Sequence, residues 1–329
     1  MKPSMNLARW LALFTATLLL PPVAVCSDGG EPKTKAGPKP LVRKDVKFTT
    51  AGKEIAVWQY VPGEGNGPWP GMVLLHGIEG LDPEVLQKDF EARLLYDQLG
   101  SRIAQLGYVV HLVHYCNCTP FNKNEAKKVE EALLKHIHVK DGRKPDPTIE
   151  DCYPLWMATS REGVKFLRQC KDANGKPMVD GARVGVVGLS MGGFIATSMV
   201  VEYPDLKVTV LANIFGGVPE QHQKKVRDAN PKMVLPPLLV MGGETDKIVP
   251  EEFQRELFLL WRQNKSPAEA HFYGGVGHAF LDETLIPRDA KTIPLAAKQK
   301  ALTMAMDEAL PTAMRYFGRY LQPQPAPKK

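Results

Sequence analysis

A serine, a carboxylate and a histidine, each placed where an apolar run breaks into glycines, are the residues of this chain that could do chemistry. Residues 184–193 read Val-Gly-Val-Val-Gly-Leu-Ser-Met-Gly-Gly: a short apolar strand, a Gly-x-Ser-x-Gly turn and the start of a helix. Such a turn holds its serine, here Ser190, on a sharp and strained corner between strand and helix. Glycine suits positions 188 and 192 because side chains there would collide with neighbouring backbone. The helix that follows aims its unpaired N–H groups and positive dipole end at the serine. Negative charge developing beside Ser190 would be stabilised there. The plain alternative is a glycine-rich turn that only joins a strand to a helix.

A serine hydroxyl needs a base, and the base needs orienting. His278 stands in the glycine-rich segment Gly274-Gly275-Val276-Gly277-His278-Ala279-Phe280, after the alternating run Ala270-His271-Phe272-Tyr273. A general base must reach the hydroxyl from a loop end, which His278 can do and mid-strand His271 cannot easily do. His111 and His114 lie on an apolar strand, His136 and His138 on a charged helix, and His222 beside a short charged stretch; structural or surface roles suit all five. The acid is Asp246, at the end of Leu238-Leu239-Val240-Met241-Gly242-Gly243-Glu244-Thr245-Asp246. It would hold the imidazole in the right tautomer and stabilise its protonated form. Glu244 is the rival acid in the same loop. Asp246 is preferred because it lies just before Pro250, which opens the next helical pattern; capping that helix is the ordinary role for such a residue.

Acyl transfer also needs two donors aimed at the oxyanion, and backbone N–H groups supply them in this kind of site. Met191, next after the serine, is one. The other is Ile78, in Leu74-Leu75-His76-Gly77-Ile78-Glu79-Gly80, where an earlier apolar strand ends. Backbone donors tolerate any side chain. The implied reaction has two steps, acylation of Ser190 and hydrolysis of the acyl-enzyme, and needs neither metal nor cofactor.

These loops must be positioned by strands. Strands are expected at about 44–50, 53–61, 71–76, 107–115, 182–188, 206–213, 237–242 and 268–273. Helices are expected at about 87–105, 123–138, 155–170, after the serine turn, 250–264 and 296–320. Strands alternating with helices predict a mostly parallel, doubly wound α/β sheet with flanking helices. Active groups in such sheets gather at the carboxyl ends of strands, where all the candidates fall.

The remaining features bound the setting. Of the 329 residues 44% are hydrophobic and 24% charged, an ordinary globular balance. The formal charge of +6 falls to +4 without Lys2 and Arg9, too little and too dispersed to imply nucleic acid as a partner. Residues 1–26, with Lys2, Arg9 and the apolar run Trp10–Leu20, read as a signal peptide cleaved after Ala24-Val25-Cys26. A lipid anchor on Cys26 is the variant reading, and an uncleaved apolar anchor is another. The mature chain is then expected to be secreted or periplasmic, without a membrane partner. Residues 27–43 read as a flexible linker, 44–322 as the catalytic domain and 323–329 as a disordered tail. An insertion at 116–154 is expected beside the site, with Phe121, Tyr153 and Trp156 offering aromatic surface to a substrate or simply packing the insertion down. Cys116, Cys118, Cys152 and Cys170 remain in the mature chain. A helix over 155–170 keeps Cys152 from Cys170, so a Cys118–Cys152 disulfide is expected to tie the insertion, with four free, partly buried thiols as the alternative. None of the cysteines has zinc-site spacing.

The order Ser190, Asp246, His278 is that of α/β-hydrolases. Over residues 45–320 the chain resembles the dienelactone hydrolase family, through His76-Gly77-Ile78-Glu79-Gly80, Gly188-Leu189-Ser190-Met191-Gly192-Gly193, Gly243-Glu244-Thr245-Asp246 and Gly277-His278-Ala279-Phe280. The resemblance implies a compact hydrolase with little or no lid and a carboxylic ester or lactone substrate. Similar secreted relatives act on acyl groups of plant polysaccharides, so a small-molecule or polysaccharide-linked ester is implied. The chain departs from the family at two places. The namesake enzymes use a cysteine nucleophile where Ser190 stands, and a glutamate where Gly77 stands. A general serine esterase is therefore the preferred reading over dienelactone hydrolysis. A serine peptidase of similar fold and a non-catalytic binding protein on the same fold are the alternatives. A peptidase would need more room for a peptide, and a binding protein would be expected to have lost a triad member.

Overall fold

The protein is described by a computed structural model covering residues 43–63, 65, 67–78, 90–119, 147–229, 232–282, 284, 286 and 293–322. The strands are β1 (Arg43–Thr50), β2 (Lys53–Tyr60), β3 (Trp69–Leu75), β4 (Val109–Val113), β5 (Val179–Leu189), β6 (Val210–Ile214), β7 (Leu238–Gly243) and β8 (Ala268–Tyr273). The helices are α1 (Phe90–Gln105), α2 (Pro147–Arg168), α3 (Met191–Glu202), α4 (Glu220–Asp228), α5 (Glu251–Gln263), α6 (Leu295–Met304) and α7 (Leu310–Leu321). The eight strands form one sheet in the order β1-β2-β4-β3-β5-β6-β7-β8. The β1–β2 and β2–β4 pairs are antiparallel and every later pair is parallel. The expected doubly wound α/β architecture is what forms.

Side chains alternate across each strand, so one sheet feeds two cores. Val73, Leu75, Val184, Val186, Leu238 and Val240 pack under α2, α3, α4 and α5. Met72, Leu74, Val187, Leu239 and Met241 pack under α1, α6 and α7. Both faces are covered, which is why the central strands read as unbroken apolar runs.

Topology then decides where chemistry can gather. From β3 the chain goes to β4 on one side, and later to β5 on the other. A crevice opens at such a reversal, outside the strand ends. The last paired residues of β3 and β5 are Leu75 and Gly188. The loops carrying Ile78 and Ser190 therefore leave the sheet side by side.

Several sequence expectations shift. Arg43 is not linker: it starts β1, pairs with Tyr60 and binds Asp97 at 2.9 Å. The third expected helix starts at Pro147 rather than 155, taking in the end of the presumed insertion. Proline is well suited to a first helical position, and Pro154 is carried inside the helix on its exposed side. The charged stretch around His222 is helix α4. The last helix runs on from α6 into α7 through a single wider turn, Ala305–Ala309, in which the Leu310 N–H reaches the Ala305 carbonyl. Pro311 comes next and has no N–H to give. The expected signal peptide, most of the expected linker, the helix expected at 123–138 with Phe121 just before it, and the expected tail at 323–329 lie outside the described residues. Among the described residues no helix is long and apolar enough to cross a membrane.

One buried polar side chain joins the sheet to the corner that carries Ser190. Asn213, fully buried near the end of β6, has its amide nitrogen 2.9 Å from the Gly193 carbonyl, 2.8 Å from the Thr197 hydroxyl and 3.1 Å from the Gly217 carbonyl. Its amide oxygen accepts the Gly216 N–H at 3.0 Å. Replacing it with alanine leaves several buried polar groups unpaired. Asn213→Ala is expected to lower unfolding free energy by about 2–4 kcal/mol, measured as a drop in urea midpoint; a change below ~0.5 kcal/mol would show that these bonds are readily replaced by water.

Candidate active site

The corner after β5 is strained in the way its sequence demands. Ser190 has φ 53° and ψ −117°, outside the favoured regions for a side-chain-bearing residue. Such a conformation costs on the order of 1–3 kcal/mol and persists only when its surroundings dictate it. Here the Ser190 N–H donates to Ile214 at 2.8 Å, extending the β5–β6 ladder by one residue. A methyl group at Gly188 would lie 2.2 Å from the Gly192 carbonyl oxygen, and one at Gly192 would lie 2.2 Å from that of Leu75. Helix α3 therefore presses its first turn directly against the ends of β3 and β5.

Three side chains from three strand ends meet at this corner. The Ser190 hydroxyl is 2.8 Å from His278 Nε2, and His278 Nδ1 is 2.8 Å from Asp246 Oδ2. Carboxylate oxygens accept, so Nδ1 carries a proton and neutral Nε2 is left to accept one from the serine. His278 sits in a short 3₁₀ turn, His278–Phe280, directly after the β8 loop. The loop is closed by bonds from Gly277 N–H to Leu281 and from Leu281 N–H back to His278, at 2.7 and 3.0 Å. The Phe215 ring stands edge-on to the imidazole, with centroids 5.7 Å apart.

Asp246 divides its two oxygens. Oδ1 accepts the N–H groups of Ile248 and Val249, both at 2.9 Å, and Oδ2 faces His278. The helix-capping role and the imidazole-orienting role are thus compatible in one side chain. Gln254, fully buried on α5, donates to the Val249 carbonyl at 2.8 Å and leaves its amide 3.5 Å from Asp246 Oδ2. Glu244, the rival acid, is exposed, and Asp246 is the carboxylate that meets His278.

Of the other described histidines, His76, His111, His114 and His222 are buried and His271 is ion-paired. Burial pushes His111 and His114 down to about 3, so both are neutral and inside the fold. His111 Nε2 lies 3.0 Å from the Gln59 amide nitrogen. His271 pairs with Glu269 on the edge strand β8. His222, on α4, is buried, and that burial lowers its pKa.

Of the two expected anion-stabilising donors, Met191 is the first residue of α3, so its N–H has no acceptor within the helix. Ile78 follows Gly77, whose own N–H is already given to the Tyr96 hydroxyl at 2.8 Å. Among the described residues no group of three or more His, Cys, Asp or Glu side chains is arranged to hold a metal ion.

The aromatic and disulfide expectations need correction. Trp156 is fully buried in the core beneath α2 and donates its indole N–H to Thr119 at 2.9 Å. Tyr153 packs against the same core and shares a 2.9 Å hydrogen bond with Ser198 on α3. Both fasten α2 to the domain instead of facing a substrate, because the helix begins early enough to turn them inward. Phe121 lies outside the described residues. No Cys118–Cys152 bond forms, and Cys116, Cys118, Cys152 and Cys170 are all thiols. The Cys118 thiol donates back to the Tyr115 carbonyl within its own turn, at 3.1 Å, while Cys152 is packed into the core of α2. Sequence reasoning missed Asn213, Gln254, Tyr96 and Tyr115. For Asn213 a signal existed: a lone amide in the apolar run Val210–Ile214, just before Gly216-Gly217.

Comparison with known proteins places this geometry. The profile of the dienelactone hydrolase family matches residues 57–320. No curated protein sequence matches the chain. Among solved structures, a dienelactone hydrolase-like promiscuous phosphotriesterase from metagenomic libraries is similar at TM-score 0.54 and 16% identity, covering 85% of this chain and 98% of that one. A thermophilic carboxylesterase cloned from a metagenomic library gives TM-score 0.53 and 19% identity over 87% of this chain and 91% of its own. Dienelactone hydrolase from Anabaena variabilis gives 0.50 and 15% over 86% and 99%. At these identities the structures show a shared fold, and the match over most of the sequence shows the rest: the chain belongs to the dienelactone hydrolase family of α/β-hydrolases.

Proposed function

We propose that this hydrolase cleaves carboxylic esters or lactones through an acyl-enzyme on Ser190. The observation that carries the reading is the unbroken hydrogen-bond chain from the strained Ser190 through His278 to Asp246. In the first step Oγ of Ser190 attacks the ester carbonyl carbon while its proton passes to His278 Nε2. Charge collects on the carbonyl oxygen, where the N–H groups of Met191 and Ile78 receive it. Collapse expels the alcohol, which takes the proton from His278. A water then gives a proton to His278 as it attacks the acyl carbon, and collapse breaks the bond to Ser190 Oγ, which takes that proton back from His278 as the acid leaves. Asp246 keeps its charge throughout and holds the imidazole in the productive tautomer.

A serine nucleophile with Gly77 in the oxyanion loop favours ordinary esters over dienelactone. Small-molecule esters and esters on polysaccharides are the candidate substrates, and neither a cofactor nor nucleic acid is required. Export follows from the pattern in residues 1–26.

Ser190→Ala is expected to lower kcat on p-nitrophenyl esters by about 10⁴-fold or more while the protein remains folded by circular dichroism. More than a tenth of wild-type activity in the folded variant would remove Ser190 from the nucleophile's role. Asp246→Asn is expected to cost roughly 10³–10⁴-fold in kcat by favouring the wrong tautomer; steady-state kinetics showing less than a tenfold loss would mean that Glu244 or water can orient the base. Protein recovered from a native host is expected to begin after Cys26, and N-terminal sequencing that starts at Met1 or Lys2 would end the export reading.

A further inference from the structure

The proposed oxyanion donor Ile78 lies beyond the reach of the sheet. Pairing of β3 stops at Leu75, so His76, Gly77 and Ile78 lie past the last paired residue of the strand. His76 and Gly77 are nevertheless buried, and buried peptide groups need partners. The partners are side chains remote in sequence. The Tyr115 hydroxyl donates to the His76 carbonyl at 2.8 Å, and the Gly77 N–H donates to the Tyr96 hydroxyl at 2.8 Å. These are the two polar ends of one peptide, so that unit is gripped at both.

The next peptide carries the Ile78 N–H. Its carbonyl belongs to Gly77 and lies 2.8 Å from His76 Nδ1. A carbonyl only accepts, so Nδ1 bears the proton and donates. In a trans peptide the C=O and N–H point in opposite directions. Holding the Gly77 carbonyl on one side therefore sets the direction of the Ile78 N–H on the other. The hydrogen bond also polarises the peptide and makes that N–H a stronger donor. Tyr115 holds the imidazole as well: the two rings stack at 4.3 Å with 9° between their planes.

Tyr96 belongs to the core on one face of the sheet and Tyr115 to the core on the other. We propose that Tyr96 and Tyr115, acting on the His76–Gly77 peptide, are positioning residues that aim the Ile78 N–H at the reacting carbonyl oxygen. The proposal rests on the reading of Ser190 as nucleophile and Ile78 as donor. Neither tyrosine touches the substrate in it. Their effect is felt only where charge develops, so it belongs to the transition state and not to substrate binding.

The test is Tyr96→Phe and Tyr115→Phe, singly, with Tyr316→Phe as control. Tyr316 also buries its phenol hydroxyl on a backbone carbonyl, that of Leu238 at 2.9 Å, but at the far end of β7 from Asp246. Three readings are taken on each: kcat and KM for p-nitrophenyl acetate, inhibition by an aryl trifluoromethyl ketone, and melting temperature. The ketone accepts Ser190 Oγ at its carbonyl carbon, leaving a hemiketal oxyanion that mimics the intermediate. Each site variant is expected to lose about 10- to 100-fold in kcat, with KM within roughly threefold and ketone affinity weakened by the same factor as kcat/KM. Tyr316→Phe is expected to lose stability alone. Loss of activity with ketone affinity unchanged, or no loss in either variant, would overturn the clamp. Should one variant fail to fold, the other decides, since it acts on the opposite end of the same peptide. A fluorophosphonate label mapped by mass spectrometry separates the two levels of the argument. Wild-type labelling away from Ser190 overturns the site reading and the clamp with it. Labelling at Ser190 with unchanged kinetics in both variants overturns the clamp alone.

Discussion

The approach of helix α3 to the end of β3 is the constraint from which the site follows. Its first turn sits so near the Leu75 and His76 carbonyls that only glycine fits at position 192. That contact does two things at once. It forces the chain to turn within a single residue, which places the strain on Ser190, and it brings the N-terminus of the helix beside the β3 loop. A looser corner would relieve the serine, but it would also separate the Met191 and Ile78 N–H groups. Strain and donor placement are thus one geometric fact. The ladder bond from Ser190 to Ile214 and the Asn213 amide behind the corner hold it against relaxation.

A buried carboxylate is the second demand of this arrangement. Asp246 is almost wholly enclosed, and an enclosed charge is costly unless several donors meet it. Two backbone N–H groups of its own loop satisfy one oxygen, leaving the other for His278. The loop folds around the charge that it presents, so the acid needs no cation nearby. An arginine in that place would compete with the imidazole for the same oxygen. Backbone donors stabilise the charge while leaving its direction toward His278 open.

Much of this was legible in the sequence because the informative residues sit where strands end. Strand ends are marked twice, by an apolar run and by the glycines after it, and all three triad candidates carry both marks. The β8 strand and helix α5 fall within one residue of expectation for the same reason. What was not legible depends on contacts between distant segments. Tyr96 and Tyr115 are ordinary aromatic positions in sequence, and only the fold shows that their hydroxyls meet one peptide. Trp156 and Tyr153 could face a substrate or pack the insertion down as far as the sequence goes, because nothing in it marks the early start of α2. The helix starts at Pro147, a residue suited to a first turn, and turns both aromatics inward. The disulfide expectation failed similarly, since an even cysteine count carries no information about which way a thiol points.

The two layers of helix flanking the sheet contribute to the site in different ways. The layer of α2 to α5 holds the Ser190 corner and the Asp246 loop: Tyr153 reaches Ser198, Asn213 reaches Thr197, and Gln254 binds the Val249 carbonyl. The opposite layer supplies Tyr96 from α1, together with Phe215 and Phe280, whose rings meet edge to face at 4.5 Å beside the imidazole. Each layer alone would leave one half of the constellation unsupported. Parallel strands make joint support possible, because they send the loops after β3, β5, β7 and β8 to the same edge of the sheet, where side chains from both faces can reach around it. In this chain the sheet chooses the meeting place, and the precision of the meeting comes from buried polar side chains that neither strand propensity nor hydrophobic pattern requires.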